Sequence, residues 1–376
     1  MRVCIIKGLV VSYSEGFYDR LLAKEDWQVT IYCQSSIPGV NLRSIHTKYP
    51  QHINLVKNIT LKHEKLSWQF LPWKRIFSGY DVYFVTGNPR NLSNVAIATF
   101  LKFFGKKVVL WTMGHSPRAN AITENVRLWW SKYFDFLLLY TDAEVKYLRE
   151  KGFKNQFLLG QNNGLDQRKI DGEISKWGTE KLDNWKKEKG IWGKKILLSC
   201  SRLTTKNQYD IVINALEILK PMIPEIFWVA IGSGPEQEVL KSLAVQKGIE
   251  ENILFVGEVY EEENLSPWFL SASVFVHPGA IGLSLMHAFG YGLPLVTHSD
   301  ANFQGPEFAA FVNGMTGLSF KEGDFMDFAE KVSILLDNEQ LRTEIAKENQ
   351  KITRTGYNVD IMVQRFVSIA EEAARS

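Results

Sequence analysis

Short apolar runs and longer stretches of mixed polarity alternate along nearly the whole chain. In the first half, strand-like runs fall at 2–7 (RVCIIK), 28–33, 81–85 (DVYFV), 107–112 (KVVLWT) and 135–140, with helical spacing between them at 93–104 and 142–151. A second series follows at 195–200 (KILLSC), 226–231, 253–256, 273–277 and 293–297, interleaved with helical stretches near 208–220, 235–247, 283–291 and 325–337. Strands separated by helices predict parallel sheets with right-handed crossovers. Two such series predict an α/β chain of two doubly wound Rossmann-like domains, 1–165 and 166–356, facing each other across a cleft. Residues 166–194 are charged and poor in aliphatics, and read as a linker with one surface helix. The segment 357–376 sets Val359, Ile361, Met362, Phe366, Ile369 and Ala370 at helical spacing. No strand follows it, so it is expected to pack back on the N-terminal domain.

Composition adds bounds. A length of 376 residues suits two domains, and 45% hydrophobic with 23% charged residues is the balance of an ordinary globular chain. Cys4, Cys33 and Cys200 each lie in an apolar run, with no CxxC pair and no histidine at ligand spacing. Buried reduced thiols are expected, which fits a cytoplasmic setting. No secretory leader is visible, and no apolar run approaches the ~20 residues that span a bilayer.

Charge changes the picture more. Residues 1–165 carry 22 Lys+Arg and 11 Asp+Glu, whereas residues 166–376 carry 22 and 30. Aromatics accompany the basic half: Trp68, Trp73, Lys74, Arg75 and Phe77; Phe103, Phe104, Lys106 and Lys107; Arg127, Trp129, Trp130, Lys132 and Tyr133. Such a mixture suits an anionic membrane surface, reached peripherally on the inner face of the plasma membrane. A solvated face with its aromatics turned into the core remains the alternative. Nucleic acid is not expected as a partner.

In open parallel sheets, ligands bind beyond the carboxyl ends of the strands. The loops there therefore carry the chemistry. The stretch 273–297, SVFVHPGAIGLSLMHAFGYGLPLVT, reads as a buried strand, a small-residue loop (Gly279, Ala280, Ile281, Gly282) and a helix opening at Leu283 and Ser284. Small residues admit close approach of a ligand, and free N–H groups at a helix start favour phosphate. On this loop alone, a tight turn needing glycine and nothing more is the stronger reading. Two further loops point the same way. SRLTTKN (201–207) places Arg202 and Lys206 just past a strand, and Gly232-Ser233-Gly234-Pro235 follows another. Arg grips a diphosphate bidentately and Lys neutralises it as a point charge.

The order SRLTTKN, VAIGSGPEQEVL (229–240), ILFVGEV (253–259), VFVHPGAIGLSLMHAFGYGLPLVT (274–297), then GPEF and NGMTGLSF within 305–320, resembles the donor domain of family 4 glycosyltransferases of the GT-B fold. NNGLD at 162–166 is similar to that family's turn at the domain junction. The resemblance is close over 162–335 and covers the first half in layout. It implies a retaining glycosyltransferase that uses no metal or other cofactor, taking a nucleotide-diphosphate sugar as donor. It places the diphosphate on Arg202, the Lys206 region and the N–H groups of Gly282 to Ser284. It places the base near Glu258 and Val259. No DxD motif is present, in keeping with metal independence.

Two departures stand out. Where the family usually has two glutamates eight positions apart, this chain has Gly279 and His287. His287 is then either a partner for the ribose or a core-facing helix residue. The family lysine would fall on Asn207, which becomes an alternative phosphate contact to Lys206. Glu307, in Gly305-Pro306-Glu307, is a candidate for the ribose or the sugar, or else an acid placed at a helix start.

In the first half, the strand 107–112 leads to His115, where the family often places a histidine near the donor sugar and acceptor. Histidine titrates near neutrality and can relay a proton. Gly8, Glu15, Tyr18 and Arg118 are the acceptor-side candidates. The implied acceptor is a glycan, including one carried on a polyprenyl diphosphate. The competing readings are a nucleotide-sugar epimerase of the same fold, and a weakly catalytic donor-binding partner of another transferase.

Overall fold

The computed structural model describes residues 1–37, 44–61, 66–77, 79–115 and 121–376. The chain divides into two units, one made of Met1–Leu165 with Val359–Ser376, the other of Asp166–Asn358.

The first unit is built on β1 (Arg2–Ile6), β2 (Gln28–Cys33), β3 (Ile53–Leu55), a hairpin of β4 (Asn58–Leu61) and β5 (Leu66–Gln69), then β6 (Val82–Thr86), β7 (Val108–Trp111), β8 (Phe136–Leu139) and β9 (Phe157–Gly160). Seven of these form one parallel sheet in the order β3-β2-β1-β6-β7-β8-β9. Its central strands are apolar residue after residue because helices cover both faces. On one face, helix Val359–Arg375 lays Phe366 against Phe84, ring centroids 3.8 Å apart. Helices Trp73–Phe77, Leu92–Phe103, Ala121–Ser131 and Asp142–Glu150 cover the other. Thr141 and Glu144 form a reciprocal capping box that fixes where the last of these starts.

The second unit carries β10 (Lys195–Cys200), β11 (Ile226–Ile231), β12 (Ile253–Gly257), β13 (Val274–His277), β14 (Leu295–His298) and β15 (Gly317–Phe320). They form one parallel sheet in the order β12-β11-β10-β13-β14-β15. The order reverses between β10 and β13, so the loops leaving these adjacent strands part in opposite directions and open a crevice at their carboxyl ends. β1 and β6 make the corresponding reversal in the first unit.

The segment 166–194 is not a linker. It folds as two helices, Gln167–Ile174 and Thr179–Glu188, within the second unit. Aliphatic and aromatic residues share its packing: Ile170 and Ile191 are buried, and Trp185 packs edge-on against Trp268 at 4.6 Å and against Trp177 at 6.2 Å. The helix Glu339–Thr355 and the strands β3, β9 and β15 also exceed what the sequence pattern marked. Among the described residues, no helix is long and apolar enough to cross a membrane.

Candidate functional site

The site of the second unit is assembled from five loops at one edge of its sheet. The loop after β10 is the frame. Asn207 is buried, and its side-chain amide donates to Ser201 Oγ at 3.0 Å and to the Arg202 carbonyl at 2.6 Å. Those bonds curl 201–207 into a tight arch and leave the Arg202 and Lys206 side chains exposed on it. This corrects the alternative reading of Asn207 as a phosphate ligand, since both of its amide bonds are spent inside the loop.

Three glycines press against that arch. Gly232 has φ 131°, and a Cβ there would lie 2.0 Å from the Ser201 carbonyl oxygen. At Gly234 a Cβ would lie 2.1 Å from the Leu203 carbonyl oxygen. At Gly279 it would lie 2.1 Å from the Lys206 carbonyl oxygen and 2.5 Å from the Asn207 Cα. Any side chain at these positions displaces backbone. Gly279 is therefore no vacancy left by a missing carboxylate, because the loop is closed onto Lys206 at that point.

The glycine loops are locked in turn. Ser233 accepts the Leu203 N–H at 2.8 Å through its carbonyl and joins its hydroxyl to the Glu258 carboxylate. Tyr260 adds a second hydroxyl to Glu258 at 2.7 Å, and these two bonds hold the exposed Glu258 carboxyl below its ordinary range. Val259 lies half-buried between them.

In the loop after β13, the Ala280 N–H is taken by the Lys206 carbonyl at 3.3 Å. The Ile281 N–H is taken by the side-chain oxygen of Gln304 at 2.7 Å, and its side chain is buried. Among the described residues, the N–H groups of Gly282, Leu283 and Ser284 have no such backbone partner, and Ser284 opens helix Ser284–Gly290. The Glu307 carboxylate is buried beside this turn, where a Cβ at Gly305 would meet its Oε2 at 3.2 Å. Gln304, missed in the sequence, ties the turn to β14 by donating to Thr297 Oγ1 and the His298 carbonyl.

His287 resolves in favour of the interior. Its ring stacks on Phe269 at 4.3 Å and its Nε2 lies 2.9 Å from Glu262 Oε1, so the ring is held among protein groups.

In the first unit, the sequence candidates separate. His115 stands half-exposed past β7, with Nδ1 3.0 Å from Glu124 Oε1. The Tyr147 hydroxyl reaches the same oxygen at 2.7 Å. Burial pushes the Glu124 carboxyl up, but Tyr147, His115 and Arg127 outweigh it and hold it below its ordinary range. The backbone leading to His115 is fixed by the buried Glu144 carboxylate, which accepts N–H groups from Gly114, His115, Tyr140 and Thr141 at 2.8–3.4 Å.

Tyr18 is fully buried and its hydroxyl accepts from Lys7 Nζ at 2.8 Å, so it is a core residue and no acceptor ligand. Burial lowers the Lys7 ammonium to about 8, and it also lies 4.8 Å from the centre of the Trp111 ring. Glu15 is paired with Lys48 at 2.6 Å. The Gly8 carbonyl accepts from Gln34, and a Cβ at Gly8 would stand 3.2 Å from Ile37 Cδ1, so that backbone is packed against protein. Arg118 lies outside the described residues.

In sequence and fold, the chain is similar to known proteins. The family model of glycosyl transferases group 1 matches residues 182–352. A Streptococcus agalactiae protein named UDP-N-acetylglucosamine–peptide N-acetylglucosaminyltransferase GtfA subunit is 25% identical over 189 residues, 48% of this chain and 36% of its own length. An uncharacterised glycosyltransferase of Haemophilus influenzae is 21% identical over 62% of this chain and 61% of its own length. The chain thus spans about a third to three fifths of the length of these curated relatives. Among solved structures, HepE of Anabaena in complex with UDP superposes with a TM-score of 0.74 at 16% identity, covering 99% of this chain and 100% of its own. The same protein is known with UDP-glucose bound. The fold is GT-B, two Rossmann-like domains.

Proposed function

We propose that the chain moves a sugar from a nucleotide-diphosphate sugar to a glycan or lipid-linked acceptor, with retention at the anomeric carbon and without a metal ion. One observation carries the reading. At the strand-order reversal of the second unit, the exposed Arg202 and Lys206 and the N–H groups of Gly282 to Ser284 share one sheet edge, held there by Gly279 packing on Lys206. Guanidinium, ammonium and helix-start N–H groups are the donors a diphosphate needs.

In the transfer, the bond from the anomeric carbon to the diphosphate oxygen breaks and one from the acceptor hydroxyl forms. The diphosphate leaves with the electron pair, and its developing charge falls on Arg202, Lys206 and the 282–284 N–H groups. These supply positive charge in place of a metal. The UDP and UDP-glucose complexes of HepE support a nucleotide-sugar donor. His115, braced by Glu124, is the candidate for relaying the acceptor proton.

The test is thermal unfolding of the full chain with UDP, GDP, ADP or dTDP. At a hundred times Kd, a ligand of the folded state stabilises by about 2.7 kcal/mol. A shift with one nucleotide, followed by its release from the matching nucleotide sugar, is the expected result. No shift with any of the four overturns the donor reading, and an epimerised nucleotide sugar overturns transfer.

A further inference from the structure

Helix Ala121–Ser131 and the turn after it are inverted relative to an ordinary surface helix. Ile122, Val126, Trp129 and Tyr133 follow one another at helical intervals of four, three and four, and are 77%, 58%, 77% and 43% exposed. The face turned into the protein carries Glu124 and Arg127 beside Leu128 and Ser131. Arg127 is buried, donating to the Met113 and Gly114 carbonyls at 3.1 Å each. A buried arginine and a half-buried glutamate turn inward while four apolar side chains turn outward, so among the described residues the apolar stripe is left uncovered. A stripe of this length on a helix is the device by which helices lie on a bilayer.

The neighbouring helix continues the surface. Trp130 Nε1 donates to Thr99 Oγ1 at 3.0 Å, which fixes helix Ala121–Ser131 beside Leu92–Phe103. At the end of that helix, Phe100, Phe103 and Phe104 are exposed, with Phe104 packed on Phe77 at 5.7 Å and Phe100 on Trp73 at 5.8 Å. Trp73, Phe77 and Trp130 thus anchor from beneath, while Phe103, Phe104, Trp129 and Tyr133 project.

Charge selects the occupant. Residues 70–135 hold nine Lys+Arg and three Asp+Glu. All three acids are engaged: Asp81 with Arg2, Glu124 with His115 and Arg127, Asp135 with Lys102. Lys74, Arg75 and Lys132 are exposed near the aromatic residues. A second copy of this chain would bring cations against cations across a two-fold axis. Anionic headgroups instead complement the lysines, while Trp, Tyr and Phe settle at the wet–apolar boundary.

We propose that this face of the first unit, built on helices Trp73–Phe77, Leu92–Phe103 and Ala121–Ser131, docks on an anionic lipid bilayer. It does not depend on the glycosyl-transfer reading, because lipid binding is measured without any sugar.

The experiment is co-sedimentation of the full chain with vesicles of phosphatidylcholine alone and of phosphatidylcholine with equal phosphatidylglycerol. Binding to the anionic vesicles, weakened by added salt, is expected. The triple variant Ile122→Ser, Val126→Ser, Trp129→Ser should bind on the order of tenfold less while keeping its melting temperature, since those side chains are outward. The double variant Lys74→Ala, Lys132→Ala should lose the preference for anionic vesicles. Equal binding to both vesicle types, no binding to either, or a wild-type dimer that the triple variant converts to monomer would each overturn the proposal.

Discussion

The imidazole Nε2 of His287 and the hydroxyl of Tyr291, one helical turn apart, meet on the same carboxylate oxygen of Glu262, at 2.9 and 2.6 Å. Burial pushes this carboxyl up, and the two partners outweigh it and hold it below its ordinary range. The cluster joins helix Glu262–Ser271 to helix Ser284–Gly290, so it fixes the helix whose first turn presents the open N–H groups. Replacing His287 by Ala leaves a half-buried carboxylate short of a partner, at a cost of about 1–3 kcal/mol. Because the folded pKa of Glu262 is depressed, its contribution is complete above the unfolded carboxylate value and is lost as pH falls through the folded one. Urea unfolding of wild type and variant should therefore differ at neutral pH and converge in acid.

Gly279→Glu tests whether the missing family carboxylate can be restored. The closure of this loop on the Lys206 carbonyl leaves no room for a Cβ, let alone a carboxylate. The substitution is expected to lower stability by more than ~2 kcal/mol and to weaken nucleotide binding rather than improve catalysis. Gly279→Ala should show a lesser form of both losses. Calorimetric unfolding together with nucleotide titration reads the two effects.

Arg202→Ala is expected to do the opposite. The side chain is exposed on the arch. Its loss should leave the melting temperature unchanged and weaken nucleoside-diphosphate binding by about 1.5–3 kcal/mol, the worth of a charge-assisted hydrogen bond. Arg202→Lys should recover only part, because the bidentate fork is absent. Isothermal titration with the nucleotide found by thermal shift measures both.

The parallel sheets were legible because burial on both faces demands uninterrupted apolar runs: β10 and β11 lie where the pattern puts them. β15 was missed because Gly317–Phe320 has only two buried residues, and 166–194 was read as a linker with one helix because Ile170, Ile174, Leu182 and Trp185 are spread thinly among charged residues. In the site, loop positions were readable from Gly, Arg and Lys. What each glycine packs against was not, since Gly232, Gly234 and Gly279 meet backbone from a loop distant in sequence. Gln304, Glu124 and Glu262 carry no signature, being single polar residues whose partners come from other elements.

Glu124→Gln separates positioning from chemistry at His115. The carboxylate holds Nδ1 and thereby leaves the other ring nitrogen for exchange with a substrate. If His115 relays a proton, His115→Ala should lower kcat by about 10²–10⁴-fold. Glu124→Gln should cause a smaller loss in kcat with KM little changed, since the imidazole is present but less well held. A KM effect without a kcat effect would assign the pair to binding.

His277 makes a prediction about acid stability that is independent of activity. It ends β13 with its ring buried, Nδ1 3.3 Å from the Gly279 carbonyl and 5.8 Å from Tyr209 between ring centres. Burial is the main cause that lowers its pKa from 6.5 to about 4. Between those values the unfolded chain takes up a proton that the folded chain refuses. Folding stability is therefore complete above pH ~6.5, falls through this window, and levels off below pH ~4, a loss of about 3 kcal/mol from this one group. Since His277 leads directly into the loop at Gly279, the donor site should loosen together with the strand. Melting curves of the full chain from pH 8 to pH 4 should slope more steeply for wild type than for His277→Asn, whose side chain cannot take the proton. Parallel slopes would show that some other group governs the acid limb.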